Sequence, residues 1–190
     1  MAVAADEAVT VKGSPVRSLQ KFIDAELTAP QRETLFRTLG PEYDRLKATI
    51  LATETVPVQM LNRMTEEAAK VKGEPVEAFA RRAGREAAGD AVKGIYRFFA
   101  MVLTPPALLS KASQMWSSLY NRGEMKIENQ TDRGATIRIL KFPSELAGCG
   151  RITGWIERMA ELTGARNVVV QQTQCYAKGG PFCEWVVKWE

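Results

Sequence analysis

Gly123-Glu124-Met125-Lys126-Ile127-Glu128-Asn129-Gln130-Thr131-Asp132-Arg133-Gly134-Ala135-Thr136-Ile137-Arg138-Ile139 marks a change of period in this chain of 190 residues. Met125 and Ile127, then Ile137 and Ile139, alternate with polar residues on either side of Thr131-Asp132-Arg133-Gly134, the pattern of two strands joined by a turn. Upstream, the period is helical. Val16, Leu19, Phe22, Ile23 and Leu27 recur at spacings of three and four behind Pro15. Leu35, Phe36 and Leu39 stop at Gly40, and Tyr43, Leu46, Ile50 and Leu51 follow Pro41. Met60, Leu61 and Met64 share a face between Pro57 and Gly73. Pro75 opens a helix through Phe79 and Ala83 towards Ile95, Phe98, Phe99 and Leu103. Pro105 starts a last long helix, with Leu108, Leu109, Ala112, Trp116, Leu119 and Tyr120 inward and Gly123 as its stop.

Downstream of the hairpin, residues 150–163 return to helical spacing, with Ile152, Trp155, Ile156, Met159 and Leu162 on one face. Residues 167–177 and 182–190 read as two strands joined at Lys178-Gly179-Gly180-Pro181, and Val9 to Lys12 as a short edge strand. Helices first, then a twisted antiparallel sheet with one inserted helix, predict an α+β class. A single domain over 1–190 is expected, with a helical part at about 14–122 and a sheet part at about 123–190.

Composition narrows the chemistry. The chain is 45% hydrophobic with a formal net charge of +4, and its acids and bases are mixed. The nearest approach to a basic run, Arg81, Arg82 and Arg85, is interrupted by Glu77 and Glu86, so no nucleic acid is expected as a partner. Met1 to Val11 lacks the basic start and apolar stretch of a secretory signal. The longest apolar stretch, Phe98 to Leu109, is cut by Thr104-Pro105-Pro106 and is too short for a membrane span. Three cysteines, an odd number, argue against a disulfide framework and fit a reducing cytoplasm. The sequence has no histidine, which removes Ser-His-Asp and Cys-His nucleophile systems, His-ligated haem and Cys₂His₂ zinc. No Walker loop, complete dinucleotide fingerprint or catalytic constellation is present, so an enzyme is not expected.

What remains is thiol chemistry. Cys175 and Cys183 lie a few residues either side of Gly179-Gly180, and they meet if the hairpin register sets them opposite each other. Cys149, between Gly148 and Gly150, sits just before the inserted helix. Two readings stand on the residues alone: three small buried apolar side chains, or three thiolates around a metal.

The terminal run Gln172-Thr173-Gln174-Cys175-Tyr176-Ala177-Lys178-Gly179-Gly180-Pro181-Phe182-Cys183-Glu184-Trp185 resembles the small-molecule-binding domain named for 4-vinyl reductase. Its last hairpin carries a cysteine, a Gly-rich turn and a second cysteine before an aromatic strand. Three further stretches look like a family of myxobacterial paralogues of unassigned function. They are Val11-Lys12-Gly13-Ser14, the path from Ala83 through Gly94-Ile95-Tyr96-Arg97-Phe98-Phe99 to Trp116, Tyr120 and Gly123, and Gly150-Arg151-Ile152-Thr153-Gly154-Trp155. Together these cover nearly the whole chain. The wider superfamily is similar to haem nitric-oxide sensors and to subunits of the TRAPP tethering complex.

In the phenol-sensing regulators of that group, zinc is held by three cysteines and a glutamate three residues before the second of them. Cys149, Cys175 and Cys183 match the thiols, and Gln172 stands where the carboxylate would be. Glu145, four residues before Cys149, or water is a substitute ligand; Glu184, next to Cys183, faces the other side of its strand. In those sensors an aromatic pair with the spacing of Trp116 and Tyr120 lines the ligand pocket, and Tyr96, Phe98, Phe99 and Trp155 are its expected company here. The histidine that binds phenol there is absent, leaving Tyr96 or Tyr120 for a polar contact. The resemblance implies a non-enzymatic ligand-binding or sensory domain for a small apolar or aromatic molecule. Zinc is the cofactor it implies; no haem is expected. A protein partner and a homodimer are implied as well. The alternative is a homodimeric scaffold whose aromatics only fill a core.

Overall fold

Proline and glycine punctuation sets the helix ends. A computed structural model describes residues 8–93 and 104–190. Its helical part contains α1 (Gly13–Glu26), α2 (Ala29–Leu39), α3 (Val58–Lys72), α4 (Val76–Lys93) and α5 (Pro105–Leu119). Thr28 and Gln31 form a capping box at the start of α2, where the Thr28 N–H donates to Gln31 Oε1 at 2.9 Å. α2 and α3 end on Gly40 and Gly73, whose φ values of +93° and +78° only glycine adopts without strain. The stretch after Pro41 is a 3₁₀ helix over Pro41–Lys47 rather than an α-helix running to Leu51. Leu46 and Ile50 are buried, but Leu51 is 65% exposed. Buried side chains from α1 to α4, among them Val16, Leu19, Leu35, Leu61, Met64 and Phe79, form one apolar core.

The sheet part contains β3 (Glu124–Thr131), β4 (Gly134–Leu140), α6 (Leu146–Leu162), β5 (Val169–Gln174) and β6 (Cys183–Lys188). The four strands run antiparallel in the order β3-β4-β6-β5. The α+β class holds. One sheet face carries Met125, Ile137, Ile139, Cys183, Trp185 and Val187, which pack with Trp116, Cys149 and Ile156 in a second core. Alternation puts Arg138 and Glu184 on the other face, paired at 2.5 Å.

Three expectations shift. The N-terminal strand, β1 (Thr10–Lys12), pairs with β2 (Thr55–Pro57) in a ladder of its own and does not extend the main sheet. The inserted helix begins at Leu146, so Cys149 lies in its first turn, its N–H bonded to Glu145 C=O at 2.9 Å. The terminal strands are shorter than the alternation suggests, because a bulge between Gln172 and Gln174 ends β5 before Cys175. Tyr96, Phe98 and Phe99 lie outside the described residues. No helix among the described residues is long and apolar enough to cross a membrane.

The helical and sheet parts meet where α4 packs on α6. The contact is reciprocal: a Cβ on Gly84 would overlap the Arg151 carbonyl, and one on Gly154 would overlap the Arg81 carbonyl. Above it, Glu157, with its side chain only 4% exposed, binds Arg81 and Arg85, and Arg85 also binds Glu161 at 2.8 Å. Gly154→Ala should therefore destabilise the fold by about 1–3 kcal/mol through overpacking. Gly89→Ala on the same α4, where a new Cβ meets nothing within 4 Å, should stabilise by about 0.5–1 kcal/mol. Urea denaturation of both variants checks the pair.

Candidate functional site

The Gly-Gly turn and the first turn of α6 bring the three thiols together. After Cys175 the chain makes a 3₁₀ turn over Tyr176–Lys178 and passes Gly179 at φ +86°. The Gly180 N–H then returns to Cys175 C=O at 2.9 Å, and a Cβ on Gly180 would press on the Cys175 backbone. After the bulge the β5–β6 register is Gln174 opposite Glu184, and one residue further on it sets Cys175 opposite Cys183, as the hairpin pattern predicts. Cys149 Sγ lies 3.8 Å from Cys175 Sγ and 3.5 Å from Cys183 Sγ, and all three sulfurs fall within 4.8 Å of one another. Thiolates bonded at about 2.3 Å to a tetrahedral zinc ion stand about 3.8 Å apart. The three residues are 2%, 8% and 1% exposed.

The surroundings favour anionic sulfur. The Tyr176 N–H donates to Cys183 Sγ at 3.3 Å. Ser144 Oγ and Gln172 Nε2 are the two buried side-chain polar atoms without a hydrogen-bond partner among the described residues. Ser144 stands by Cys183 and Gln172 by Cys149, where each favours the thiolate form. A thiolate accepts such donors far better than a thiol does, so ionised sulfur would satisfy both orphans. The two closest sulfurs, Cys149 and Cys183, share one hydrogen bond. That sharing and burial push the Cys149 thiol up, while the same bond pulls Cys183 down against its burial.

Arg151, two residues after Cys149, is part of this environment. Its guanidinium donates to Thr65 Oγ1 at 2.7 Å, Asn62 Oδ1 at 2.6 Å and Leu61 C=O at 3.5 Å, all neutral acceptors. Burial disfavours the charge, while Tyr120, Glu145 and Cys149 favour it. Three thiolates around a divalent ion would carry one net negative charge, opposite in sign to the half-buried Arg151 guanidinium.

Among the described residues, no carboxylate belongs to the sulfur cluster. Glu145 stands just outside α6 as its N-cap; burial pushes its carboxyl up, and the Asn62 amide pulls it back. Glu184 faces away, held by Arg138 and by Thr173 at 2.6 Å. Sequence reasoning missed Ser144 and Arg151. Ser144 is two residues before α6 begins and carries no motif, and Arg151 was visible only as one residue of a resembling stretch.

The aromatic residues divide into two groups. Trp116 and Tyr120 stack on each other at 4.2 Å, and Phe142 sits edge-on to both at 4.9 and 5.2 Å. Trp116 Nε1 donates to Arg122 C=O at 3.2 Å, and burial pushes the Tyr120 phenol up. Trp155 instead lines a small apolar cavity of about 30 Å³ between α5, the sheet and α6, with Leu108, Leu109, Met125, Met159 and Trp189. The two groups share the α5–sheet interface but not one cavity.

No protein-family model matches the chain, and no curated protein matches it. Solved structures do. An H-NOX protein from S. oneidensis, in its Fe(II)NO ligation state, superimposes with a TM-score of 0.74 at 11% identity, over 94% of this chain and 99% of that one. An oxygen-binding H-NOX domain related to soluble guanylate cyclases, in its oxygen complex, gives 0.71 at 13% identity over 94% and 95%. A third, from work on haem distortion in the H-NOX family, gives 0.72 at 13% over the same shares. At these identities the likeness is one of fold. It overturns the expectation that haem has no place here, because these neighbours are haem proteins. The missing histidine removes only one kind of axial ligand, and cysteine, tyrosine and methionine also ligate haem iron. Among the described residues the cavity beside Trp155, about 30 Å³, is smaller than a porphyrin, and no step below runs through haem. The fold is the one shared with H-NOX domains.

Proposed function

We propose that this chain is a non-enzymatic ligand-sensing domain of the 4-vinyl-reductase type, related to the myxobacterial paralogues. Cys149, Cys175 and Cys183 hold zinc as a structural staple. A small apolar or aromatic molecule enters between α5, the sheet and α6, and a protein partner reads the shift of α5. The observation that carries the metal half is the sulfur trio with two orphaned donors beside it. Zinc, when bound, supplies the positive charge that lets these thiols ionise inside the protein. The staple then ties the start of α6 to the terminal hairpin. The ligand half is supported by the apolar cavity beside Trp155 and by the fold's occurrence in H-NOX domains that bind nitric oxide and oxygen. Tyr96, Phe98 and Phe99 belong to this proposal as ligand contacts from the segment leading into α5. Trp116 and Tyr120 would pass the shift to Arg151 and the thiol site. A cytoplasmic location fits three reduced cysteines.

A second reading, a homodimeric scaffold without a ligand, has one observation in its favour. Trp116, Tyr120 and Phe142 already pack on one another, as rings that only fill a core do.

Native mass spectrometry of gently purified protein should show a zinc-sized addition that is lost on acidification, as protons displace metal from sulfur. Cys149→Ser and Cys183→Ser should each lose it. With free zinc a thousandfold above its dissociation constant, the ion contributes about 4 kcal/mol, so chelation should lower Tm by on the order of 10 °C for a chain of this size. A bare wild type whose cysteine variants melt with it would refute the staple.

For the pocket, indole or benzene should raise the Tm of the wild type and leave Ala160→Val, which narrows the cavity, unmoved. Equal shifts in both proteins would place binding elsewhere. Addition of haemin is the companion experiment: a Soret band with a stoichiometric adduct would make haem itself the ligand.

A further inference from the structure

The two edges of the sheet are treated differently. β3, at one edge, carries Glu124, Lys126 and Glu128, with Glu128 paired to Arg138 at 2.6 Å. It is also covered: α5 packs along it, Ser113 Oγ donates to Met125 C=O at 2.6 Å, and Gln130 Nε2 reaches back to Pro106 C=O at 3.0 Å. Charge and a covering helix are the usual means by which a sheet edge avoids pairing with another chain.

β5, at the other edge, has no charge, and its contact with α6 is slighter than that of α5 with β3. Val169-Val170-Gln171-Gln172-Thr173-Gln174 contains no ionisable residue. Its backbone pairs with β6 on one side only, and among the described residues nothing donates to or accepts from the other. Of the four large apolar side chains exposed among the described residues, two flank this strand: Val169 at its start, 59% exposed, and Tyr176 just past its end, 50% exposed.

We propose that β5 is the pairing edge for a second copy of this chain, joined antiparallel about a two-fold axis. The strand is self-complementary in the way such an axis requires. Being uncharged, it meets its own copy without like charges facing each other. With an apolar residue at each end, antiparallel pairing turns Val169 of each copy towards Tyr176 of the other. The outer row of amides and carbonyls finds partners, and the two four-stranded sheets become one of eight. The inference needs neither the metal nor the ligand.

Sedimentation and light scattering of the wild type across a wide concentration range should give a mass approaching twice the 21.1 kDa of the chain. The double variant Val169→Lys with Gln171→Lys, both exposed positions, places like charges on the edge and should give the single-chain mass with unchanged far-UV circular dichroism. Hydrogen exchange provides the second readout. The outward β5 amides of the wild type should become protected as concentration rises, while those of β3 stay as they were. A wild type that remains monomeric throughout overturns the proposal. So does a dimer that survives the double variant or forms without slowing β5 exchange.

Discussion

The approach of α4 to α6 is the constraint on which the rest of the molecule depends. The helical core and the sheet core are built from largely separate residues, and this packing joins them. Two glycines, Gly84 and Gly154, let the backbones come within reach of each other's carbonyls. Each glycine forfeits helix propensity of about 1 kcal/mol relative to alanine, so the contact is maintained against local preference. The Arg81–Glu157–Arg85 arrangement then fixes the rotation of α6 with an almost fully buried carboxylate. That rotation decides which residues of α6 meet the sheet. Cys149, Ile156 and Ala160 face the second core, while Arg151 points back to α3.

The thiol site follows from that placement. Because α6 enters with Cys149 in its first turn, one sulfur is held by a rigid element and the other two come from a turn that only Gly179 and Gly180 permit. Three buried sulfurs in contact would be an ordinary apolar cluster if their neighbours were apolar. They are not. Tyr176 N–H, Ser144 Oγ and Gln172 Nε2 surround them, and a guanidinium with only neutral acceptors sits two residues away. An apolar cluster would leave two donors unsatisfied and the Arg151 charge opposed chiefly by Glu145 and Glu66, which it does not hydrogen-bond. Ionised sulfur around a cation relieves all of them at once, and no single one of these groups makes the argument without the others.

How much of this was legible beforehand depends on the scale of the signal. The α+β class was readable because the change of period at Gly123 extends over many residues, and proline and glycine mark nearly every junction. The segment after Pro41 misled because Tyr43, Leu46 and Ile50 also fit a 3₁₀ turn that buries the same side chains without continuing as an α-helix. The thiols were visible as types, but their meeting depends on a bulge between Gln172 and Gln174 and on four extra residues at the start of α6. Both are boundary details that alternation does not encode. The α4–α6 contact was hidden for another reason. Gly84 and Gly89 look alike in sequence, and only the neighbouring helix distinguishes a glycine under pressure from a free one. The haem expectation failed because a missing histidine speaks of one ligand, whereas the fold speaks of a layout of helices over a sheet.

That layout bears on how the site and the pocket relate. α5 lies along β3 and ends at Tyr120, which bridges to β1 through Val11 and stacks on Trp116. The apolar cavity lies towards the start of α5, beside Leu108 and Leu109, and the aromatic stack lies at its end. A molecule larger than the cavity must push α5 away from the sheet. α5 is anchored at its far end by stacked rings and by the Trp116 bond to Arg122, so the easier motion is a pivot about that end. Tyr120 is within electrostatic range of Arg151, and Arg151 reaches from the thiol helix into α3. On the proposed reading, such a pivot would reach both cores through one guanidinium. The fold shared with H-NOX domains fixes where α5 lies, while the ligand would be set by the few side chains along it.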